Sequence, residues 1–275
     1  MRPLLSLALL AIPFMPACGR RDDAPAPAPD PCAILFGNPS DQTGLGLDRC
    51  RPQCACGATV FSPPAYDAVF IQSLVDGWQL ATPYAPLSSD PYAAPPPADD
   101  APGTVCAVVP HGDPAQRPRP YDLVTFASGD VARAAGAEVT HFGHCGVCST
   151  LANLAVYMAE NDLVAPVRSC GVASSSDGGN ADVACLQQLG FDLPCAQAWA
   201  YDTAHTRDVC LSVCIANLRD PYNLDDGGLN PCIQCDEDQS GPVFKAVAGR
   251  TRRNSGLPNA ICRPCSEVQA LVHAY

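Results

Sequence analysis

Cysteine content is the feature that most constrains how this chain can fold. The chain contains 17 cysteines in 275 residues. Cys210 and Cys214 lie four residues apart, which places them on one face of a predicted helix. Their Cβ atoms are too far apart there for a comfortable mutual disulfide, so we expect each to bond the helix to a neighbouring segment. Three further pairs have C-x2-C spacing, namely Cys145/Cys148, Cys232/Cys235 and Cys262/Cys265.

The N-terminal residues predict export. Arg2 precedes the apolar run LLSLALLAIPFM, which at 12 residues is too short to span a bilayer as a helix. The run leads into MPAC, which resembles the lipobox of bacterial lipoproteins, with Met15 where that family prefers leucine. The resemblance implies a signal peptide at 1–17, cleavage before Cys18 and lipidation of that cysteine. The alternative is an ordinary secretory signal with an incidental cysteine.

The residues after Cys18 bear on location. Lipoproteins retained at the inner membrane carry an aspartate next, whereas this chain has Gly19. The resemblance therefore implies an outer-membrane lipoprotein of the cell envelope that faces the periplasm or the cell surface. Its lipid anchor would make the membrane a partner. The alternating Ala-Pro pattern within 18–31 favours extended polyproline II and predicts a tether.

Export also determines what the cysteines can do. If Cys18 carries the lipid, 17 − 1 = 16 cysteines remain. An oxidising compartment allows them to pair, so up to eight disulfides are expected. Each should contribute roughly 2–4 kcal/mol by restricting the unfolded chain. The spacing does not determine which cysteines pair.

Charge and composition narrow the class of protein. The formal net charge of −12 at pH 7 repels phosphate, so no nucleic acid is expected as a partner. After the tether, we predict a small cysteine-bearing lobe at 32–80, a Pro-rich linker or loop at 81–120, and a mainly helical cysteine-rich domain at 121–275. The predicted fold class is mainly α with a small β element, in a disulfide-rich, loop-rich extracytoplasmic domain.

Local patterns predict the individual elements. Strands are predicted at TVCAVVP, YDLVTF and AEVTHF, which are rich in β-branched and aromatic residues. Helices are predicted where apolar residues recur at helical spacing, and Ser149 is expected to cap the second of them. The predicted helices are AYDAVFIQSLVDGW, CSTLANLAVYMAEND, NADVACLQQLG, PCAQAWAYDTAHTRDVCLSVCIANL and GPVFKAVAGRTRRNSG.

The stretch HFGHCGVC, 141–148, is the first candidate site because it places two of the five histidines beside two cysteines. A strand that leads into C-x-x-C at a helix N-terminus favours thiolate, and it resembles the active-site corner of thioredoxin-type proteins. CGVCS is similar to the C-G-x-C-W stretch of papain-like proteases, which implies Cys148 as nucleophile and His205 or His273 as base. The catalytic candidates are Cys145, Cys148, His141 and His144.

Metal binding and a purely structural role both stay open for these residues. A metal would take at most three local ligands, because the adjacent His144 and Cys145 do not easily reach one tetrahedral ion. In the purely structural role, both cysteines are half-cystines and the histidines form a polar rim. No metal and no cofactor is assigned from this pattern.

The second candidate site lies near the C-terminus. Arg250 and Arg253 are three residues apart on a predicted helix and would hold a carboxylate or phosphate together. The same basic residues also suit the C-terminal end of a helix dipole. NLDDGGLN suggests calcium ligands at Asp225, Asp226 and Asn230, although the EF-hand spacing is absent.

Two hypotheses of function follow. The first is a lipid-anchored, disulfide-stabilised surface or binding module, with an unknown small-molecule or protein ligand and all its cysteines structural. The second is a thiol-dependent enzyme that uses 141–148, which requires a reactive free cysteine in the native protein. A metal-binding protein is a further alternative. The sequence does not decide whether the protein is an enzyme.

Overall fold

The computed structural model describes residues 30–97, 100–173 and 180–275. The predicted signal peptide, Cys18 and nearly all of the predicted tether lie outside these ranges. Helices account for 38% of the structure and strands for 15%, so the fold is mixed α/β. Helix prevails, but the β part exceeds the single small element that we predicted, because nine short strands form three sheets within the described residues.

The helices lie mainly in the second half of the chain. They are α1 (Ala68–Asp76), α2 (Gly129–Ala134), α3 (Leu151–Ala159), α4 (Val164–Ala173), α5 (Asn180–Gln188), α6 (Leu193–Ala216), α7 (Pro231–Gln239) and α8 (Gly241–Ala248). The strands are β1 (Leu35–Phe36), β2 (Cys50–Arg51), β3 (Cys54–Cys56), β4 (Thr59–Phe61), β5 (Trp78–Leu80), β6 (Val105–Pro110), β7 (Arg119–Phe126), β8 (Glu138–Phe142) and β9 (Arg263–Pro264).

The main sheet has the strand order β5-β7-β6-β8. Strand β6 pairs antiparallel with both β7 and β8, and β5 joins parallel to β7. The three strands predicted from β-branched and aromatic runs are β6, β7 and β8. Strand β6 comes from the 81–120 segment and has a buried first half, because both its neighbours and the helices cover it.

One of the two small sheets brings the ends of the described chain together. Strand β1 pairs in parallel with β2 and antiparallel with β9, so residues near 35 lie beside residues near 263. Strands β3 and β4 form a separate hairpin. No periodicity can be read from strands of two or three residues, and this is why the sequence under-predicts the β content.

The sixteen cysteines that follow Cys18 form eight disulfides, as the count predicts. Cys210 and Cys214 each bond α6 to α7, as expected from their spacing. None of the C-x2-C pairs bonds internally. The eight bonds join Cys32 to Cys56, Cys50 to Cys262, Cys54 to Cys265, Cys106 to Cys145, Cys148 to Cys195, Cys170 to Cys185, Cys210 to Cys235 and Cys214 to Cys232.

The largest apolar core surrounds α3. Leu151, Leu154 and Tyr157 on this helix are buried against α1, α5 and α6, where Leu74 and Leu186 are equally buried. Helix α3 begins after Thr150, whose side chain accepts a hydrogen bond from the N–H of Asn153. Ser149, the predicted cap, is buried and bonds elsewhere. The burial of α3 places the loop before it, 143–150, inside the molecule.

Two glycines allow that loop to contact the end of α8. Gly249 has a φ of 72° and ends α8, whereas the sequence predicted helix to near Gly256. A Cβ on Gly146 would lie 2.4 Å from the carbonyl oxygen of Val247, and one on Gly249 would lie 2.5 Å from the nitrogen of Gly146. The two backbones therefore touch directly, and the N–H of Val147 and of Cys148 donate to the carbonyl groups of residues 247 and 248. The glycine in CGVC thus has a packing role.

Candidate ligand-binding cleft

The two candidate catalytic cysteines are both half-cystines. Cys145 is bonded to Cys106 of β6, and Cys148 is bonded to Cys195 at the start of α6. Cys148 is fully buried. A role for either sulfur as a nucleophile or redox thiol stays a prediction, and it now requires that one of these bonds first be reduced.

The neighbouring histidines bond to groups other than sulfur. His141 is fully buried, its Nδ1 lies 3.0 Å from the carbonyl oxygen of Phe142, and its Nε2 lies 2.7 Å from Oγ of Ser149. Burial and the positive charge of Arg250 keep the pKa of His141 well below its usual value, so this imidazole is neutral. His144 bonds to Asp100 through Nδ1 at 2.8 Å and to a backbone carbonyl through Nε2. Each histidine therefore holds segments of the fold together.

Arg250 does not form an anion site with Arg253. Arg250 is 0% exposed, and all five of its N–H groups find protein acceptors. Its Nε donates to the carbonyl of Cys148, and its Nη atoms donate to Thr140, Ser149 and Ser255 at 2.6–3.1 Å. No donor remains for a ligand. Arg250 instead ties β8, the loop before α3 and the 250–255 segment into one unit.

Arg253 lies at the surface and is paired with protein carboxylates. Its Nη2 lies 2.6 Å from Glu237, and its Nη1 lies 3.0 Å from Glu267. Glu237 also accepts from Arg263. The helix on which Arg250 and Arg253 were predicted to share a face ends at Ala248, so the two side chains take different directions.

The other predicted ligand groups also have structural roles. Asn230 caps α7 by accepting from the N–H of Ile233, and Asp226 accepts from the N–H of Gly228. Two C-x2-C pairs in one chain can suggest a zinc ribbon, but Cys232, Cys235, Cys262 and Cys265 are all half-cystines. In the described ranges, no group of three or more His, Cys, Asp and Glu side chains could hold a metal ion.

The structure shows a site that the sequence patterns did not predict. A cleft of about 1010 Å³ opens between α4, α6, α7, α8 and the segment 251–269. Small-molecule sites typically have volumes of roughly 300–1,000 Å³, so this cleft is at the upper end of that range. Its apolar interior includes Leu163, Val167, Phe244, Leu257 and Ile261.

The mouth of this cleft carries exposed apolar side chains. Leu211 and Ile215 on α6 are 50% and 64% exposed, Leu218 in the turn after α6 is 57% exposed, and Val172 on α4 is 71% exposed. All four line the cleft. Folded proteins rarely expose several large apolar side chains side by side to solvent. Such patches are typical of ligand-binding grooves and of interaction surfaces.

Arg252 is the principal buried cation of the cleft. It is 7% exposed, lines the cleft, and lies with its guanidinium 5.7 Å from the ring centre of Tyr157. Its Nη1 donates to the carbonyl of Pro258 at 3.1 Å, but its Nε and Nη2 have no hydrogen-bond partner. Burial lowers the pKa of Arg252 to about 10, so it keeps its charge at neutral pH.

Two carboxyl groups also line the cleft. They belong to Asp202 on α6, which is buried, and to Asp236 on α7, which is half-buried. The hydroxyl of Tyr92 donates to Asp202 at 2.8 Å, and Thr206 donates to Asp236. Burial, together with the negative charge of Asp236, raises the pKa of Asp202 well above its usual value, and burial also raises the pKa of Asp236. Both shifts are towards the protonated, neutral form of the carboxyl group.

One signal for this cleft was present in the sequence. Leu211, Ile215 and Leu218 recur at i, i+4 and i+7 in the last turn of α6 and the turn that follows it, a pattern that normally faces a protein core. Only the tertiary structure shows that no helix of the described residues packs over this stripe. Arg252 has no distinguishing signal, because its sequence neighbours are also arginine or polar.

Comparisons with known proteins bear on part of this region. The curated proteins and the solved structures that were compared give no match to the chain. Within the described residues, no helix has both the length and the apolar character needed to cross a membrane. Residues 180–271 match a family of unknown function (DUF8771). That segment contains α5–α8 and Arg252, so the cleft lies mostly in the part of the chain that is similar to this family.

Proposed function

We propose that this protein is an exported, lipid-anchored binding module of the cell envelope, which holds a small, largely apolar molecule in the cleft between α4, α6 and 251–269. The eight disulfides indicate an oxidising, extracytoplasmic location. The observation that carries the binding role is the large apolar cleft with four exposed apolar side chains at its mouth. In this proposal all sixteen cysteines of the mature domain are structural.

The anchor is proposed from the sequence. Cleavage of 1–17 would leave Cys18 as the lipidated first residue, and the Ala-Pro tether that follows would space the folded domain from an outer membrane. The folded part would then present its cleft to the periplasm or the outside of the cell. Residues 32–80, 81–120 and 121–275 are proposed as its three successive parts.

Binding in the cleft is tested with a neutral apolar fluorescent probe, N-phenyl-1-naphthylamine. Leu211→Asp places a charge on the cleft wall and is expected to weaken probe binding about tenfold or more, because a carboxylate is costly to bury beside an apolar ligand. The matched control is Val209→Asp. Val209 lies on the same helix, is 48% exposed against 50% for Leu211, and does not line the cleft.

Fluorescence titration of the purified protein and both variants measures this difference. The control variant should bind the probe within about twofold of the unsubstituted protein. Equal weakening by both variants, or no probe binding by the unsubstituted protein, would contradict the proposed binding role.

The anchor has its own test. Cells grown with an alkyne analogue of palmitate should label the protein, and Cys18→Ala should abolish the label and move the protein out of the washed outer-membrane fraction. Met15→Leu, which brings the segment closer to the lipoprotein pattern, is the control and should keep the label. Persistent labelling of Cys18→Ala would show that the lipid lies elsewhere.

A further inference from the structure

We infer that the ligand of the cleft is a single-chain amphiphile with an acidic head group, a long-chain carboxylate, and that Arg252 recognises the head. This inference rests on the proposed function, because it names the class of molecule held in the same cleft. It depends on which donors of Arg252 are unused and on the charge state of the groups around them.

The unused donors of Arg252 form one side of its guanidinium group. Nε and Nη2 point in the same direction, and this edge is the one that binds a carboxylate through two parallel hydrogen bonds. In this structure neither atom has a partner and neither is in contact with solvent. A buried guanidinium with two nitrogen atoms that lack acceptors is costly unless an acceptor reaches them. A small shift of the cleft-lining side chains is needed to bring a head group onto this edge.

The neighbouring arginines have no such edge available. Arg250 uses all five donors within the fold, and Arg253 is paired with Glu237 and Glu267. Arg263 is paired with Glu237 as well. Among the arginines of the 250–263 segment, Arg252 is therefore the one whose buried guanidinium nitrogens lack acceptors.

The charges around Arg252 permit an anion to enter. Glu160 and Asp162 act on Arg252 only at a distance, and Asp162 is already engaged by the hydroxyl of Tyr222 at 2.9 Å. Asp202 and Asp236, which also line the cleft, have raised pKa values, and this shift towards the neutral form reduces their repulsion of an acid. Lys245 and Arg168 add positive charge to the lining.

The exposure of the lining residues indicates which end of the ligand lies inside the cleft. Arg252 is 7% exposed, whereas Ile215 and Val172 at the mouth are 64% and 71% exposed. The acidic head therefore lies inside at Arg252, and the apolar chain extends past Val167 and Leu257 towards the mouth. Carboxylates and phosphates can both accept two parallel hydrogen bonds from such an edge. A carboxylate has no further oxygen to satisfy, whereas a phosphate monoester would bring a third oxygen and additional negative charge into the cleft, which favours the carboxylate.

The experiment measures displacement of N-phenyl-1-naphthylamine by decanoate, 1-decanol and decyl phosphate. It uses the chain from Gly19 onward, exported and purified without detergent, which retains all eight disulfides and every described element. Decanoate is expected to displace the probe about tenfold more strongly than 1-decanol, because only the acid pairs with Arg252. Arg252→Gln should remove this preference and leave 1-decanol unchanged, whereas Arg253→Gln should keep it.

The outcomes distinguish failure of this inference from failure of the proposed binding role. Probe binding without a preference for decanoate over 1-decanol overturns this inference and leaves the proposed binding role intact, whereas a lack of probe binding removes both. Stronger binding of decyl phosphate than of decanoate overturns the carboxylate class. If Arg252→Gln fails to bind the probe at all, Arg252→Lys decides. Lysine keeps the charge but not the two-donor edge, so a preference for decanoate that stays undiminished in that variant contradicts recognition through that edge.

Discussion

Removing both disulfides that join the two ends of the chain is expected to cost more stability than the sum of the two single removals. Cys50–Cys262 and Cys54–Cys265 close loops of almost equal length, with sequence separations of 212 and 211. Closing such a loop restricts the unfolded chain by roughly 5 kcal/mol in the chain-entropy account. Once either bond is present, the other closes only a short ring made of 50–54 and 262–265.

Either of the two bonds alone therefore closes the long loop when the other is absent. Loss of either one, by replacing both of its cysteines with alanine, should lower the free energy of unfolding by roughly 3 kcal/mol, since one bond still closes the long loop. Loss of both should cost roughly 8 kcal/mol, a large part of the stability of an ordinary domain. Urea unfolding of the oxidised proteins measures these values.

A bond elsewhere in the fold provides the control. Cys170–Cys185 joins α4 to α5 and closes a short loop, with a sequence separation of 15. This loop lies within the long loop closed by Cys54–Cys265, but neither bond can replace the other in closing its loop. The costs of removing these two bonds should add within about 0.5 kcal/mol, as expected for separate sites. Simple additivity for the two bonds at the chain ends would refute the account.

Replacing Arg250 with lysine is expected to lower the free energy of unfolding by about 3–5 kcal/mol, although the positive charge is kept. Arg250 is fully buried and makes five hydrogen bonds, three of them to the backbone carbonyl groups of Thr140, Cys148 and Ser149. Lysine has three donors on one nitrogen and cannot reach acceptors on opposite sides of a planar group. Buried carbonyl groups would be left without partners.

Arg253→Lys is the matched control for this substitution. Arg253 lies three residues away, is 36% exposed, and pairs with two surface carboxylates. Exposed ion pairs contribute little, so we expect a change of at most about 1 kcal/mol. Thermal or urea unfolding of both variants checks the contrast, and similar costs at the two positions would show that Arg250 is not the tie between β8 and the 143–150 loop.

Several elements follow from local signals alone. Helix α6 has Asp192 as its N-cap, Pro194 in its first turn and two cysteines at i and i+4, and it runs as predicted through most of 193–216. Strands β6, β7 and β8 correspond to the three β-branched and aromatic runs. Helices α4 and α7 were not predicted. A proline in the first turn obscured the helical periodicity of α4, and a run of acidic and cysteine residues obscured that of α7.

The CGVC stretch is a segment whose role could not be predicted from local sequence signals. Its spacing and position before a helix resemble those of thiol active sites, yet each cysteine bonds to a distant segment. Its glycine is accounted for by backbone contact with the end of α8. Which cysteines meet depends on how β6 and α6 pack against the loop, and residue spacing carries no information about that packing.

By itself, the sequence predicts an export leader, leaves an even number of cysteines, sixteen, to pair after Cys18, and predicts that the second half of the chain is mostly helical. These properties depend on composition and short-range spacing. The tertiary structure decided the disulfide partners, the cleft, and the separate roles of Arg250, Arg252 and Arg253. Three arginines within four residues look alike in sequence, and they differ because the chain leaves the helix at Gly249 and directs each guanidinium group into a different environment.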